Sequence, residues 1–196
     1  MQTTTLVPRH TTTSGMEWND FLELLNRLHT DGNNRFYLLI GIGCYTGLRI
    51  SDILTLKWKD VLNKDTIRLQ EKKTGKSREI KFNGNLTRVI NDGWAATTNK
   101  DREHEHIFIN RSGTPISTQY VNRQLHEIFF KYQVKVQNGS SHSLRKTFGK
   151  RVYEQHGKTE NILIILSKIF NHSNIGITRE YLGLTKQVID NIYVNL

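Results

Sequence analysis

The stretch Ser141-His142-Ser143-Leu144-Arg145 decides how this chain is read. On a helix turning about 100° per residue, His142 and Arg145 are three positions apart and share a face. Leu144, Phe148 and Val152 form an apolar stripe that would anchor the helix to a core, with Arg145 at its edge. A guanidinium drawn into an apolar setting needs an anionic partner, because a desolvated unpaired charge is costly. Its planar fork suits a phosphate. The bland reading is that His142 caps its own helix near the first turn, so the pair gains meaning only if further phosphate-directed groups converge on it.

Composition narrows the partner. The 196 residues suffice for one domain with a real core. They carry 28 Lys and Arg against 18 Asp and Glu, a net charge of +10. That balance favours a polyanion, and nucleic acid or an anionic membrane would both satisfy it. No apolar run approaches the ~18 residues needed to span a bilayer. The Thr-rich N-terminus lacks the apolar core of a signal peptide. The single cysteine, Cys44, excludes an internal disulfide, suits a reducing cytoplasm and reads as a small core residue. The eight histidines show no zinc-site spacing.

Downstream of the opening stretch, residues 161–170 carry mixed signals: their β-branched content argues for a strand, their length for a helix. Asn171-His172-Ser173-Asn174 caps whatever follows, Tyr181 comes next, and residues 185–196 form a short amphipathic segment with Val188, Ile189, Ile192 and Tyr193 apolar. Upstream, residues 1–13 read as a flexible arm. Ser14-Gly15-Met16-Glu17 reads as a capping box opening a helix. Residues 34–45 are almost wholly apolar and predict a buried helix ending near Thr46-Gly47. Leu48-Arg49-Ile50-Ser51-Asp52 then places one arginine in an apolar run, and taken alone that arginine reads as snorkelling to water. Thr66–Gln70 and Arg78–Phe82 alternate polar and apolar and predict a β-hairpin around the lysine-rich turn Glu71–Ser77, which in isolation reads as a solvated charged loop. Further helices are expected over 85–97 and after Ser117, with Ile107-Phe108-Ile109 as a third strand.

In this order the boxes resemble the tyrosine recombinases, or phage integrases. Thr46-Gly47-Leu48-Arg49-Ile50-Ser51-Asp52 resembles their first arginine box, and Lys73-Thr74-Gly75-Lys76 their catalytic-lysine turn. His142-Ser143-Leu144-Arg145 resembles their His-x-x-Arg box. Asn171-His172-Ser173-Asn174-Ile175, with Tyr181 nine positions after His172, resembles their final histidine and nucleophilic tyrosine. Each box alone is weak; together, in family order, they are specific. The sequence departs from the family at Asn171, where Gly is usual, and at Ile177-Thr178, where paired threonines are usual. It also resembles a lone catalytic domain, like the short DNA invertases of the family, or a truncation.

The resemblance implies a mainly α fold with a small three-stranded antiparallel β-sheet, the catalytic-domain fold of DNA breaking-rejoining enzymes. That domain would span residues 14–196, with 185–196 as a segment exchanged between subunits. The residue types support the matching chemistry. Tyr181 supplies a nucleophile, Arg49 and Arg145 clamp the non-bridging oxygens, His172 adds a hydrogen bond and His142 transfers a proton. Lys73 resembles the family's general acid, with Lys72 and Lys76 competing for that role, and Asp52 is expected to orient Arg49 or pack behind it. Implied further are a 3′-phosphotyrosine, no ATP and no metal, double-stranded DNA as partner, a homotetramer on two DNA sites, an accessory DNA-bending or clamp protein, and the cytoplasm of a bacterium or phage host. Integration, excision and inversion stay open, as do a type IB topoisomerase-like enzyme and a non-catalytic DNA-binding regulator of the same fold. Taken singly, Tyr181 also reads as a half-buried core tyrosine and His172 as a loop histidine.

Overall fold

From Phe36 to Cys44 the chain is apolar on every side, and such a helix must be covered all round. In the computed structural model, which describes residues 12–97 and 103–195, this stretch lies in helix α2 (Asn34–Thr46) at the centre of the main core. It packs against α1 (Trp18–Thr30), α4 (Gly84–Ala95) and α6 (Ser141–Gln155). The approach to α6 is close at Gly43, where a Cβ would lie 2.8 Å from the Leu144 side chain. Between α2 and α4 come the short α3 (Ile50–Ile53), a 3₁₀ turn at Trp58–Asp60, and strands β1 (Thr66–Gln70) and β2 (Ser77–Lys81). The chain continues with α5 (Thr118–Lys131), the helix expected after Ser117, then α6, α7 (Glu160–Phe170), α8 (Ile175–Tyr181) and α9 (Leu184–Val194).

The strands pair antiparallel with Ile67 opposite Ile80 and Leu69 opposite Arg78. Among the described residues the sheet has two strands, so the expected third strand at 107–109 is corrected. Its backbone groups are satisfied elsewhere. The Ile107 N–H donates to Leu56 O at 2.9 Å, and the Phe108 carbonyl accepts from Ile116 N at 3.0 Å. Asn110 Oδ1 gathers the N–H groups of Ser112 and Thr114, folding the segment back on itself. A second correction concerns the expected capping box. Helix α1 starts at Trp18 with Glu17 at its N-cap, and Ser14 instead exchanges hydrogen bonds with the Gln137 backbone. Residues 1–11 of the expected arm lie outside the described residues, while Thr12 and Thr13 accept bonds from Asn138 and Lys146. The ambiguous stretch 161–170 is helical: Ile162, Leu163, Leu166 and Phe170 are buried at helical spacing.

Helix α6 straddles two cores. Leu144 belongs to the main one, whereas Phe148 and Val152 pack on a second built from Ile162, Leu163, Leu166 and Phe170. The end of α2 abuts this seam at Gly47, whose φ of +62° is left-handed. A Cβ there would lie 2.5 Å from the Phe148 ring. Gly47→Ala combines unfavourable backbone conformation with overpacking, and is expected to destabilise the fold by about 2–4 kcal/mol, measurable as a shift in the urea midpoint at unchanged slope.

Candidate active site

A helix end leaves carbonyls without intrahelical partners, and the last turn of α7 has several. Asn171 closes that helix with φ +53°, a left-handed conformation that Asn tolerates better than most non-Gly residues. This accounts physically for an Asn where the family usually has Gly. The Phe170 carbonyl points back to the seam and accepts from two guanidiniums, Arg49 Nη2 and Arg145 Nη2, each at 2.9 Å. Arg145 is 4% exposed. It also donates to Gly47 O and stacks on the Phe170 ring, with its Cζ 4.4 Å from the centroid. Burial, with Arg49 and Arg78 nearby, pushes its pKa down to about 10, so it is still a cation at neutral pH. Arg49, at the N-cap of α3, gives its other nitrogen to Glu71 Oε2 at 2.6 Å. It is paired and directed inward rather than snorkelling.

The remaining candidates surround this pair. His142 sits in the first turn of α6, whose cap is Ser140 rather than the histidine. His172 follows the α7 cap and its Nδ1 lies 2.9 Å from Thr178 Oγ1. Tyr181 ends α8, its ring edge-on to His172 at 5.3 Å and to Phe170 at 5.4 Å. The Tyr181 hydroxyl lies 3.5 Å from the His142 carbonyl. Burial pushes the Tyr181 pKa up to about 12, opposed by Arg145 and Arg49. One cavity of about 340 Å³ is lined by Arg49, Lys73, His142, Arg145, His172 and Tyr181 together. Of the three competing lysines, Lys73 lines this cavity; Lys76 donates to Asn171 Oδ1 at 2.8 Å. Asp52 stands behind the site. It is 1% exposed, and its Oδ1 accepts from the Lys72 backbone N–H at 2.9 Å, a bond that anchors the hairpin turn.

Two charged groups at the site were hidden in the sequence. Glu71 is 3% exposed and binds Arg49, Thr74 and Arg78. It looked like part of a solvated turn, yet Ile67 and Leu69 face inward, and a period of two carries that face on to residue 71. The same parity puts Arg78 in line with Ile80 on β2. Thr178 carried no comparable signal, because its meeting with His172 depends on how α8 docks.

Burial pushes both imidazole pKa values down, aided by Arg145 and Lys73 at each, by Lys146 at His142 and by Arg49 at His172. A histidine depressed in the fold contributes stability that is complete above its unfolded value, near 6.5, and lost as pH falls. The melting temperature is therefore expected to drop between pH 7.5 and pH 5, and to drop less in the double variant His142→Gln, His172→Gln. A thermal melt series checks this.

Known proteins share this sequence pattern and this fold. Residues 15–187 match the sequence profile of the phage integrase family. The chain belongs to that family, the tyrosine recombinases. This integrase-family chain is 37% identical over 153 residues to the probable integrase/recombinase YoeC of Bacillus subtilis, covering 78% of this chain and 79% of YoeC. Against the tyrosine recombinases XerH of Campylobacter jejuni and XerC of Bacillus pumilus it spans about half of their length. The XerA recombinase crystal structure shares the fold at TM-score 0.70 with 18% identity, covering 97% of this chain and 66% of that one. The XerH site-specific recombinase bound to palindromic difH, a post-cleavage complex, does so at TM-score 0.67 and 20% identity, covering 92% and 52%. The expected mainly helical catalytic-domain architecture with a small antiparallel sheet is confirmed, apart from the strand count. Among the described residues, no helix is long and apolar enough to cross a membrane.

Proposed function

We propose that this chain is a site-specific DNA recombinase that cuts and rejoins duplex DNA through a covalent 3′-phosphotyrosine. The observation that carries the reading is the meeting of six side chains, from five separated stretches of sequence, in one cavity. Its volume of about 340 Å³ accommodates a phosphodiester and its flanking sugar atoms.

In this mechanism the Tyr181 oxygen attacks the scissile phosphorus while the bond to the 5′ oxygen breaks. His142 takes the hydroxyl proton, directly or through a water, and Lys73 protonates the departing 5′ oxygen. Arg49 and Arg145 each keep N–H groups beyond those given to Phe170, Gly47 and Glu71, since a guanidinium carries five. These, with His172, stabilise charge on the non-bridging oxygens. A 5′ hydroxyl from another strand then reverses the step. The phosphodiester energy is kept in the protein–DNA link, so neither ATP nor metal is consumed.

The net charge of +10 supplies salt-sensitive affinity for DNA. Val188, Ile189 and Ile192 on α9 are about half exposed, an apolar face without cover in the single chain. It suits exchange of residues 185–196 between subunits of a tetramer holding two DNA sites, in the cytoplasm of a bacterium. The chain spans about half the length of XerH and XerC, and this reading includes an accessory DNA-bending or clamp protein.

The test is covalent trapping. The chain is mixed, without added metal, with nicked duplexes from the DNA flanking its own gene and run on a denaturing gel. A slow band that carries DNA 3′-phosphate on the tryptic peptide containing Tyr181 is the expected result. Tight, salt-sensitive binding with no such band would overturn this reading and favour a regulator of the same fold.

A further inference from the structure

We propose that Glu71 is a positioning residue of the strand-transfer reaction: its buried carboxylate locks the Arg49 guanidinium and the Lys73 turn to each other before DNA arrives. The inference rests on the recombinase reading above and assigns work to a residue outside that catalytic set.

The geometry has Glu71 at a junction. Oε2 accepts from Arg49 Nη1 at 2.6 Å and from Thr74 Oγ1 at 2.9 Å, so one oxygen joins the first arginine to the residue after Lys73. Oε1 accepts from Arg78 Nη1 at 3.2 Å, and Arg78 Nη2 donates to Thr46 O at 3.2 Å. Thr46 precedes Gly47, whose carbonyl binds Arg145. The turn's backbone closes on the same residue: Glu71 N–H donates to Lys76 O at 2.9 Å, and Gly75 N–H donates to Glu71 O at 2.8 Å. Through these bonds a single side chain touches the arginine box and the lysine turn, and reaches the floor under the second arginine through Arg78.

Charge argues that this benefit is geometric. A carboxylate beside a phosphate site repels the substrate, so its presence works against DNA affinity. Arg49, Arg78 and Arg145 outnumber Glu71 and Asp52, which leaves the centre cationic even with both acids ionised. Burial would raise the Glu71 pKa, but the bonds from Thr74, Arg49 and Arg78 outweigh it and hold the carboxyl below its ordinary value. What the carboxylate supplies is direction. It fixes the side of Arg49 turned away from the cavity and leaves the remaining N–H groups aimed at the non-bridging oxygens.

The discriminating variant is Glu71→Gln, with Glu71→Asp as the conservative companion. Glutamine keeps the size and removes the charge, placing amide hydrogens against guanidinium donors. Two readouts are taken on the full chain. The first compares the rate of adduct formation on nicked duplex with the Kd for the same DNA. The second follows the Arg49 guanidinium ¹⁵N resonances, which stay resolved while bonds to Glu71 and Phe170 hinder rotation and coalesce when it is free.

Glu71→Gln is expected to bind DNA as tightly as the unaltered chain or tighter. It should form adduct about tenfold to a hundredfold more slowly, with coalesced Arg49 signals, and Glu71→Asp should recover part of the rate. An unchanged rate in Glu71→Gln would overturn the inference, as would rate and affinity falling together with the melting temperature. Failure of both variants to fold would make Glu71 purely structural and overturn it too. If the unaltered chain itself forms no adduct, the recombinase reading fails; the Arg49 resonances then still decide whether Glu71 holds that side chain.

Discussion

Tyr181→Phe is expected to abolish covalent adduct formation, a fall of at least about a thousandfold, while leaving DNA affinity and folding nearly untouched. The reasons are local. Only the hydroxyl is removed, and its bond to the His142 carbonyl is weak at 3.5 Å. The ring keeps its edge contacts with Phe170 and His172 and its place under the Lys146 ammonium, 4.9 Å from the centroid. Stability should therefore change by no more than about 0.5 kcal/mol. A tyrosine whose role was only to fill the second core would give the opposite pattern, with adduct formation unaffected. A denaturing gel for the adduct, a gel shift for affinity and a thermal melt separate the two.

Arg145→Lys is the second large effect, and it should differ in kind. An ammonium can replace the charge but not the planar fork. Arg145 spans from Gly47 O to Phe170 O while lying flat on the Phe170 ring. Lysine reaches one carbonyl at a time, so either Gly47 O loses its bond from residue 145 or Phe170 O is left with Arg49 alone. Adduct formation is expected to fall by about 10²–10³-fold, the scale for losing a donor to developing charge. The melting temperature should fall as well, with about 1–3 kcal/mol lost. Arg145→Ala should lose more of both, since the Gly47 and Phe170 carbonyls then share no link. Tyr181→Phe and Arg145→Lys thus separate a group needed only for reaction from one needed for reaction and architecture.

Much of this was legible in the chain. An almost unbroken apolar run gave the buried α2, and spacing gave the helix after Ser117 and the shared face of His142 and Arg145, because each rests on residues within one element. The family-like order of boxes named six side chains, and the fold brings all six to one cavity. Reading failed where the outcome depends on long-range partners. Glu71 and Arg78 lie in a charged turn and strand that look solvated until α2 and Arg49 are placed against them. Asp52 was expected to orient Arg49 or to pack behind it; it is buried, and the hairpin turn it holds through the Lys72 N–H was not foreseen. The third strand failed for a similar reason. Ile107-Phe108-Ile109 has strand composition, but the Ile107 N–H goes to Leu56 O, 51 residues away, and the Phe108 carbonyl to Ile116 N, so the segment does not join β1 or β2.

The Phe170 carbonyl has a consequence for how such a site tolerates change. Arg49 and Arg145 are far apart in sequence, yet both measure their position from one oxygen atom. Length changes in the surface loop between α6 and α7, around His156–Lys158, need not disturb it, because α7 can keep its docking. One residue inserted between Leu166 and Phe170 would instead turn that oxygen by about 100° about the helix axis and withdraw it from both guanidiniums at once. The site therefore has a common datum: errors at either arginine stay separate, whereas an error of register in the last turn of α7 is inherited by both.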